Sequence, residues 1–397
     1  MRGLDDRVAI VGVGITKHGF FPEWGWKRMI VESAYDALND AGMDPGEIQA
    51  GYISVTASEI EEQQNLGAVA ADTLGMVPAG FGQVVSACAG GGVGLSYGVQ
   101  AIRSGTYNRI LVVGFEKISD CMSTAEVLLG NMDVEFEYPL GYDYIDVMAL
   151  MQTRYMSKYD VPIEPFAQFA VQDRWYAHRN PKAVDYGRPP IAMQDVLEGP
   201  MISWPITAAA CARACDGSSA LIIVPARDAR KYTDTPIYID GISLKTSPTY
   251  VGNKFGYPGM EDIDISEAAA TIMAAKEAYK QADLNPERIN FAQVHDCFTI
   301  NGVIQLEALG IFPRGQGAAA VASGETALDG RCPTNTDGGR IGLGHPTGTT
   351  GINMVAESVI QMRGQAGERQ VKKPDVGVCQ TMGGTNAASV VTVLRRL

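Results

Sequence analysis

The sequence lacks the features that would place it in a membrane or send it out of the cell. It has no long uninterrupted apolar run, and no basic stretch that leads into an apolar segment. A membrane-spanning helix needs about 20 consecutive apolar residues, and a secretory signal needs a basic start before its apolar centre. The sequence therefore predicts a cytoplasmic protein without a membrane partner.

Basic residues are also scarce. Lysine and arginine number 32 against 45 aspartate and glutamate residues, which gives a net charge of −13 at pH 7. Binding to a phosphate backbone requires clustered lysine and arginine, and no such run is present. We therefore expect no nucleic-acid partner, and an anionic ligand would have to be met by local groups.

Cysteine usage argues against a disulfide framework and against a structural zinc site. The seven cysteines are odd in number and contain no C-x-x-C pair, which fits a reducing compartment. A dinucleotide-binding loop is missing too. Gly12-Val-Gly14 follows an apolar strand pattern at 8–11, but position 17, where that fingerprint needs a third glycine, is Lys17. We expect no metal site.

What the sequence does contain is a repeat. The segment Ala-Gly-Met-Asp-Pro-Gly-Glu-Ile at 41–48 returns as Ala-Asp-Leu-Asn-Pro-Glu-Arg-Ile at 282–289. In both copies an amphipathic helical pattern precedes the segment and an apolar strand pattern follows it. The Asx-Pro pair starts a turn, and the isoleucine begins the return to the core. We interpret the chain as a duplicated α/β unit, with a chance match of one common helix–turn–strand motif as the alternative.

An insertion interrupts the first half. Between 119 and 205 the composition shifts toward methionine, tyrosine and acidic residues. This shift predicts helices and loops that cover a site, because methionine adapts to many ligand shapes; ordinary packing is the alternative. The predicted boundaries are 1–118 and 206–236 for the first half, 119–205 for the inserted loop domain and 237–397 for the second half. The methionines and tyrosines that mark the insertion are Met122, Met132, Tyr138, Tyr142, Tyr144, Met148, Met151, Tyr155 and Met156.

Cys88 lies where a strand pattern hands over to a helical one. An apolar run ends at this cysteine, and four of the six residues after Ala89 are glycine. A thiol at a helix N-terminus faces unpaired backbone N–H groups and the positive end of the helix dipole, both of which favour the thiolate. The glycines allow another backbone or an acyl group to approach closely. Cys88 is a candidate nucleophile, and a small buried core residue is the alternative.

Two of the four histidines have unusual settings. His295 ends an apolar run at 289–294 and is followed two residues later by Cys297, whereas His345 lies in a loop rich in glycine and proline. His18 and His178 have polar neighbours and are expected at the surface. Two cysteines and two histidines at strand ends or glycine loops, divided between the two halves, predict a nucleophile–base set rather than a zinc site.

In these motifs the sequence resembles the thiolase superfamily over essentially the whole chain. The resemblance is carried by Cys88 before its glycine-rich helix, Gly114-Phe-Glu-Lys117, His295-Asp-Cys-Phe298, Gly344-His-Pro346 and the late pair Gly383-Gly384. The His-Asp-Cys-Phe and Gly-Phe-Glu-Lys signatures are similar to the sterol-carrier-protein-type thiolases and the archaeal acetoacetyl-CoA thiolases. The resemblance implies a duplicated thiolase fold of five layers, α/β/α/β/α, with the inserted loop domain over the site.

The resemblance also implies roles for these residues. Cys88 would attack a 3-oxoacyl-CoA and carry the acyl group, and His345 would take the thiol proton. His295 would stabilise the enolate of the second acyl-CoA, and Cys297 would move the proton at its α-carbon. The backbone N–H groups of Cys88 and Gly383 would form the oxyanion hole.

One departure from the commoner thiolases matters. They place a proton-transferring cysteine two residues before the late glycine pair, where this chain has Thr381. Cys297 resembles the replacement, and Cys379 is the competitor for that role.

Several points stay open at this stage. The resemblance implies no permanently bound cofactor, with coenzyme A and acyl-CoA as substrates, and a homodimer or dimer of dimers. A small partner subunit with an OB-fold and a zinc ribbon is expected by analogy. The acyl group could be acetoacetyl or a larger branched or aromatic chain, such as that of benzoylsuccinyl-CoA. A β-ketoacyl synthase-like enzyme and a non-catalytic scaffold subunit are the alternatives, and intact Cys88, His295, Cys297 and His345 argue against the scaffold.

Overall fold

The computed structural model describes residues 7–56, 62–121, 123–141 and 143–397. The strands are β1 (Val8–Ile15), β2 (Ala50–Ser54), β3 (Gly80–Val84), β4 (Ile110–Glu116), β5 (Met201–Ser203), β6 (Ile206–Thr207), β7 (Gly217–Pro225), β8 (Ile237–Thr246), β9 (Phe291–Val294), β10 (Val376–Gly383) and β11 (Ala388–Arg396). The α-helices are α1 (Trp26–Ala41), α2 (Leu66–Thr73), α3 (Gly90–Arg103), α4 (Thr124–Leu129), α5 (Tyr144–Tyr159), α6 (Glu164–Ala177), α7 (Met193–Leu197), α8 (Ala269–Ala282), α9 (Thr299–Ala308), α10 (Gly317–Ala322) and α11 (Thr350–Met362).

The two halves follow the same path through the sheet, whose strand order is β3-β2-β4-β7-β1-β8-β11-β10-β9. In the first half, β2 pairs in parallel with β3 and β4, and the β4–β7 and β7–β1 pairs are antiparallel. In the second half, β9 and β10 are parallel, and the β10–β11 and β11–β8 pairs are antiparallel. A parallel bridge between Ala292 and Thr334 stands where β3 stands in the first half. The predicted duplication is confirmed.

The two halves of this sheet, β3-β2-β4-β7-β1 and β8-β11-β10-β9, are the two β layers of a five-layered fold, and helices form the other three layers. Alternate residues of β1 face opposite sides, since Val8 and Ile10 join the core of α3 and α11 whereas Ala9 and Val11 join the core of α1. Helices α3 and α11 contact each other and strands of both halves, so they form the central layer. Helix α8 covers β8 and β11 on the opposite outer side. The order α/β/α/β/α is the predicted one.

The repeated turn has the same structure in both halves. A 3₁₀ turn follows α1 at Pro45–Glu47, and its counterpart follows α8 at Pro286–Arg288. Proline at the start of such a turn costs nothing, because its missing N–H would have no partner there. Ile48 and Ile289 come next and are both buried, as the repeat predicts.

The segment between β4 and β7 contains helices α4 to α7 and the two-stranded ribbon β5–β6. Its aromatic residues Tyr155, Phe166 and Phe169 are buried in one core with α9 and β9. Of the residues that marked the insertion, Met122 and Tyr142 lie outside the described residues. Among the described helices, none combines the length and the apolar character that crossing a membrane requires.

Glycines permit the close contact between the two central helices. A Cβ atom added at Gly351 would lie 2.4 Å from the backbone nitrogen of Gly92. At Gly92 an added Cβ would lie 2.5 Å from the Thr381 methyl group. The glycine-rich start of α3 therefore lets α11 and β10 approach, which brings the ends of three elements to one point.

Candidate active site

Cys88 lies in the turn between β3 and α3, as predicted. Ala87 before it has φ +46°, a conformation that costs a residue with a side chain about 1 kcal/mol or more. The thiol is 2% exposed. Gly383, at the end of β10, packs on this turn so closely that an added Cβ would lie 2.6 Å from the Ser86 carbonyl oxygen. Cys88 and Gly383 therefore come together from the two halves of the chain.

The Cys88 thiol is not held as a thiolate at rest. Burial, followed by the nearby Glu116 carboxyl group, raises the pKa of Cys88 to about 12, and the residue's own backbone N–H lowers it only in part. The backbone N–H at the helix N-terminus favours the thiolate, as the sequence predicts, but the loss of water around a fully buried sulfur outweighs it. Attack by Cys88 requires a base.

His295 and His345 lie beside Cys88. The Cys88 sulfur and one ring nitrogen from each histidine all lie within 4.8 Å of one another. The two imidazole rings meet edge to face, with centroids 5.0 Å apart. Burial lowers the pKa of His295 to about 3, and burial together with His295 and Arg340 lowers the pKa of His345 well below its ordinary value. Both rings are therefore neutral at rest and have the free lone pair that a base requires.

Threonine hydroxyl groups contact the other side of each ring. The Thr350 hydroxyl lies 3.0 Å from His345 Nδ1 and donates to the Pro346 carbonyl oxygen at 3.2 Å. The Thr381 hydroxyl lies 3.5 Å from His295 Nδ1 and 3.3 Å from the Cys88 carbonyl oxygen. The Nε2 atoms are left for chemistry, and that of His295 is buried without a hydrogen-bond partner among the described residues.

Cys297 is the second thiol of the site. Its sulfur accepts a hydrogen bond from Asn301 Nδ2 at 3.6 Å. Burial and the neighbouring Cys88 thiol raise the pKa of Cys297 well above its ordinary value, while the nearby Tyr144 hydroxyl lowers it. Tyr144 lies on α5, in the segment between β4 and β7, and donates to the Gly384 carbonyl oxygen at 2.8 Å.

Cys379 lies in a different environment. Its sulfur is 3.1 Å from the Ser358 hydroxyl and 3.5 Å from the Met354 carbonyl oxygen, both on α11. It joins the core between the central helices and the sheet. Its hydrogen-bond partners among the described residues are therefore on α11 and do not include His295 or His345.

Glu116, in the Gly114-Phe-Glu-Lys motif, fixes the loop that follows His345. Its carboxylate accepts hydrogen bonds from Gly348 N at 2.8 Å, from Thr56 N at 3.2 Å and from the Thr347 hydroxyl. The motif is one of those that carry the resemblance to thiolases, and it lies at the end of β4. It joins the first half of the chain to the loop that carries His345.

His18 corrects an expectation. The sequence places it at the surface, but it is fully buried: a Cβ added at Gly217 would lie 2.8 Å from the His18 ring and 3.0 Å from Pro346, and one added at Gly344 would lie 3.6 Å from His18 Cβ. The polar neighbours of His18 in sequence gave no sign of this. Tyr144 was noted only as part of a biased composition, and Asn301 and Thr350 were missed. Asn301 contacts Cys297 and Thr350 contacts His345, each from four or five residues further along the chain. Tyr144 contacts Cys297 from the segment between β4 and β7.

The arrangement suits nucleophilic acyl transfer. The site contains a buried thiol that can act as the nucleophile and a neutral imidazole beside it that can act as the base. A second thiol, close enough for the two sulfurs to influence each other's pKa, can act as the acid. Thiol and imidazole groups also bind zinc, and three such side chains are too few for a structural zinc site but enough for a catalytic one. We interpret the group as acid–base and nucleophilic machinery, because a thiol beside a neutral imidazole is a nucleophile and its base.

Two family profiles match most of the chain. Residues 8–195 match the profile described as thiolase, N-terminal domain, and residues 258–396 match thiolase C-terminal domain-like. An acetyl-CoA acetyltransferase of Methanothermobacter thermautotrophicus is 34% identical over 98% of this chain and 99% of its own. Benzoylsuccinyl-CoA thiolase subunit BbsB of Thauera aromatica is 27% identical over 96% of both chains.

Solved structures agree with the fold. The Ltp2-ChsH2(DUF35) aldolase superposes with a TM-score of 0.84 at 24% identity, covering 99% of this chain and 98% of that chain. Human mitochondrial 3-ketoacyl-CoA thiolase superposes with a TM-score of 0.74 at 17% identity over the full length of both chains. At these identities the superpositions support the architecture alone.

Proposed function

The chain belongs to the thiolase family of acyltransferases, and from that premise we propose that it cleaves a 3-oxoacyl-CoA with coenzyme A through an acyl thioester on Cys88. The reverse reaction is a Claisen condensation of two acyl-CoA molecules. One observation carries the proposal: the Cys88 sulfur and one nitrogen each of His295 and His345 lie within 4.8 Å of one another, although the residues come from both halves of the chain.

In the first step, His345 takes the Cys88 proton as the sulfur attacks the keto carbon. General-base assistance is required because the thiol is neutral at rest. The bond between the keto carbon and the α-carbon then breaks, and its electron pair forms the enolate of the departing acyl-CoA. Cys297 protonates the α-carbon, and the remaining acyl group stays on Cys88.

In the second step, the coenzyme A thiol attacks the acyl group on Cys88. The bond between the carbonyl carbon and the Cys88 sulfur breaks, and the sulfur recovers its proton from His345. The thiol proton of coenzyme A passes to Cys297, which restores both cysteines to their starting state. No permanently bound cofactor is required, since every proton has a protein group to carry it.

Two groups of donors would stabilise the oxyanions. The backbone N–H groups of Cys88 and Gly383 would face the tetrahedral oxyanion, and the packing of Gly383 on the Cys88 turn supports this pairing. His295 would donate Nε2–H to the enolate oxygen. That donation requires the His295 tautomer with its hydrogen on Nε2, in which Nδ1 accepts the Thr381 hydroxyl at 3.5 Å in place of the Cys88 carbonyl oxygen at 3.3 Å.

The acyl group is either acetoacetyl or a larger branched or aromatic chain. The relatives named above include an acetyl-CoA acetyltransferase and a benzoylsuccinyl-CoA thiolase subunit, so both sizes occur among similar chains. Tyr144 of the inserted segment contacts Cys297. This contact supports the proposal that the inserted loop domain, at about 119–205, lines the pocket for the acyl group.

We propose a homodimer in which the edge strand β3 of one chain lies against that of a second chain. This strand is the outermost of its half, and an unpaired edge is a template for pairing with a second chain. Val85, directly after β3, and Tyr97, on α3, are exposed beside it. Sedimentation of the wild type should give a dimer or a dimer of dimers, and Val85→Lys should shift it toward the monomer.

A small partner subunit with an OB-fold and a zinc ribbon is the second assembly we propose. The Ltp2 aldolase structure pairs its thiolase-fold chain with a DUF35 protein. In this chain the inserted segment exposes Val134, Phe136, Tyr138 and Leu140 close together in sequence, and exposed apolar stretches are typical of interfaces. Purification of the untagged complex from the native host should recover a zinc-containing chain of this type. Recovery of the present chain alone, with full activity, would contradict it.

The acyl-enzyme is tested by peptide-mapped mass spectrometry. The protein is exposed briefly to acetyl-CoA, to acetoacetyl-CoA and to a panel of branched and aromatic acyl-CoAs, with Cys88→Ala as the control. An acyl adduct confined to Cys88 and missing from the control supports the proposal, and the best donor identifies the acyl class. The same adduct on another residue, or none across the whole panel, contradicts it.

A further inference from the structure

Two buried carboxyl groups meet next to the candidate active site. Asp296 lies between His295 and Cys297, and Asp173 lies on α6 of the inserted segment. Both side chains are fully buried, and Asp296 is among the groups that raise the pKa of Asp173. They also press on one backbone position, since a Cβ added at Gly339 would lie 2.2 Å from Asp296 Oδ2 and 2.8 Å from Asp173 Oδ2.

The surrounding donors show where the shared proton belongs. Asp296 Oδ1 accepts the backbone N–H of Arg340 at 2.8 Å, and its Oδ2 accepts that of Ile341 at 3.3 Å. Neither oxygen of Asp173 receives a hydrogen bond from any donor among the described residues. Two buried carboxylates in contact cannot both be ionised without strong repulsion. Burial raises the pKa of both residues, but the donors at Asp296 counteract this for Asp296, which leaves the proton for Asp173.

We propose that Asp173 is a neutral acid whose O–H donates to the Asp296 carboxylate and fixes helix α6 to the segment that carries His295 and Cys297. Asp173 is thus a positioning residue for the reaction proposed above, and its effect on catalysis rests on that function. Asp296 also holds the turn at Gly339–Leu343 that leads to His345. One proton therefore connects helix α6 to the backbone that positions three side chains of the site: His295, Cys297 and His345.

The charges around Asp173 agree with this state. Burial is the largest cause that raises the pKa of Asp173 well above its ordinary value, and Asp296 and Asp337 raise it further, whereas Arg340 lowers it. On α6 itself, Arg174 and Tyr176 also sense the Asp173 charge. An aspartate with a raised folded-state pKa stabilises the fold fully below its unfolded pKa of about 3.9, and this contribution is lost as the pH rises through the folded value.

Infrared spectroscopy of the full-length protein tests the protonation directly. The difference spectrum of wild type minus Asp173→Asn at pH 7 should contain the C=O stretch of a carboxylic acid, shifted by ¹³C-labelled aspartate. Asp240→Asn is the matched control, because Asp240 is buried but paired with Arg395, and its difference spectrum should contain carboxylate bands only. Carboxylate bands alone in the Asp173→Asn difference would overturn the proposal.

Equilibrium unfolding gives a second readout that a merely structural role would not move. Above about pH 5 the unfolding constant of the wild type should rise relative to that of Asp173→Asn by about tenfold per pH unit until the folded pKa is reached, because the wild type alone must release this proton on unfolding. A ratio that stays constant from pH 5 to pH 9 would overturn the proposal.

Activity then tests the positioning role. Asp173→Ala should lower kcat with the best acyl-CoA by about tenfold or more and change KM little, because chemistry and not binding depends on the position of His295 and Cys297. Asp173→Asn keeps a donor toward Asp296 and should recover most of that loss. Equal defects in both variants would overturn the positioning role. If the wild type transfers no acyl group at all, the proposed function fails, while the infrared result still decides the state of Asp173.

Discussion

The Thr350 hydroxyl determines which nitrogen of His345 carries the hydrogen. It lies 3.0 Å from His345 Nδ1 and 3.2 Å from the Pro346 carbonyl oxygen. The carbonyl can only accept, so the single hydroxyl proton goes to it, and the hydroxyl must then accept Nδ1–H from the ring. His345 Nε2 is consequently unprotonated, which is the state that a base for Cys88 requires.

Replacing Thr350 with valine should lower kcat by about tenfold to a hundredfold. The change keeps the side-chain volume but leaves the buried Nδ1–H without an acceptor, at a cost of about 1–3 kcal/mol, and releases the ring to the other tautomer. Steady-state kinetics with a 3-oxoacyl-CoA would measure it, with KM expected to change little. Thr350→Ser retains the hydroxyl and should keep most of the activity; equal losses in both variants would argue against the tautomer assignment.

The Cys88 thiol should remain protonated across the physiological range. Burial raises its pKa to about 12, and the neighbouring His345 ring is uncharged, so no imidazolium stabilises the thiolate. The ultraviolet absorbance difference between wild type and Cys88→Ala should therefore contain no thiolate titration below about pH 10, two units under that value. A titration centred below pH 8 would instead reveal a resting thiolate–imidazolium pair.

Cys297 and Cys379 should separate cleanly on mutation. Cys297→Ala removes the group that moves the α-proton and should lower thiolysis by about 10²- to 10⁴-fold. Cys379→Ala should leave kcat nearly unchanged and cost about 1 kcal/mol of stability, since its sulfur contacts Ser358 and Met354 rather than the histidines. A Cys297→Ala enzyme that still condenses by decarboxylation would favour a β-ketoacyl synthase-like reaction, and the reverse ranking of the two variants would favour Cys379.

Much of the architecture could be predicted from the sequence because it depends on local patterns. The Asx-Pro turn recurs at 41–48 and 282–289, and apolar periodicity marks the strands and helices around it, so the duplication is visible without a structure. The glycines after Cys88 likewise predict that another part of the chain packs closely against this helix, and the structure shows that α11 does so.

The electrostatics could not be predicted in the same way. The resting state of Cys88 depends on burial and on Glu116, which lies on β4 and reaches the site only through the fold. The burial of His18 depends on Gly344 and Pro346, more than 300 residues away in sequence. Desolvation depends on three-dimensional packing, so it cannot be predicted from a local sequence pattern.

The close approach of the central helices gives a matched pair of glycine substitutions. A Cβ added at Gly92 would lie 2.5 Å from the Thr381 methyl group and 3.1 Å from Val390 Cβ, whereas one added at Gly94 would lie 3.5 Å from its nearest neighbour. Gly92→Ala should destabilise the protein by about 1–3 kcal/mol or more, as overpacking of a core does. Gly94→Ala should be neutral or gain up to about 1 kcal/mol from helix propensity. Thermal unfolding of both variants measures the difference, and equal midpoints would contradict the packing argument.

A cysteine at position 381 should partly restore an enzyme that lacks Cys297. The commoner thiolases carry their proton-transferring cysteine two residues before the late glycine pair, and Thr381 occupies that place here. The Thr381 hydroxyl lies 3.3 Å from the Cys88 carbonyl oxygen and 3.5 Å from His295 Nδ1, so a sulfur in its position faces the same site. Thr381→Cys in the Cys297→Ala background should raise kcat at least tenfold over Cys297→Ala alone. Thr381→Ser in the same background is the control, because a serine hydroxyl is far too weak an acid to replace the thiol. A double variant no better than that control would mean that the α-carbon of the substrate lies out of reach of position 381, and that Cys297 approaches it from a direction that β10 cannot supply.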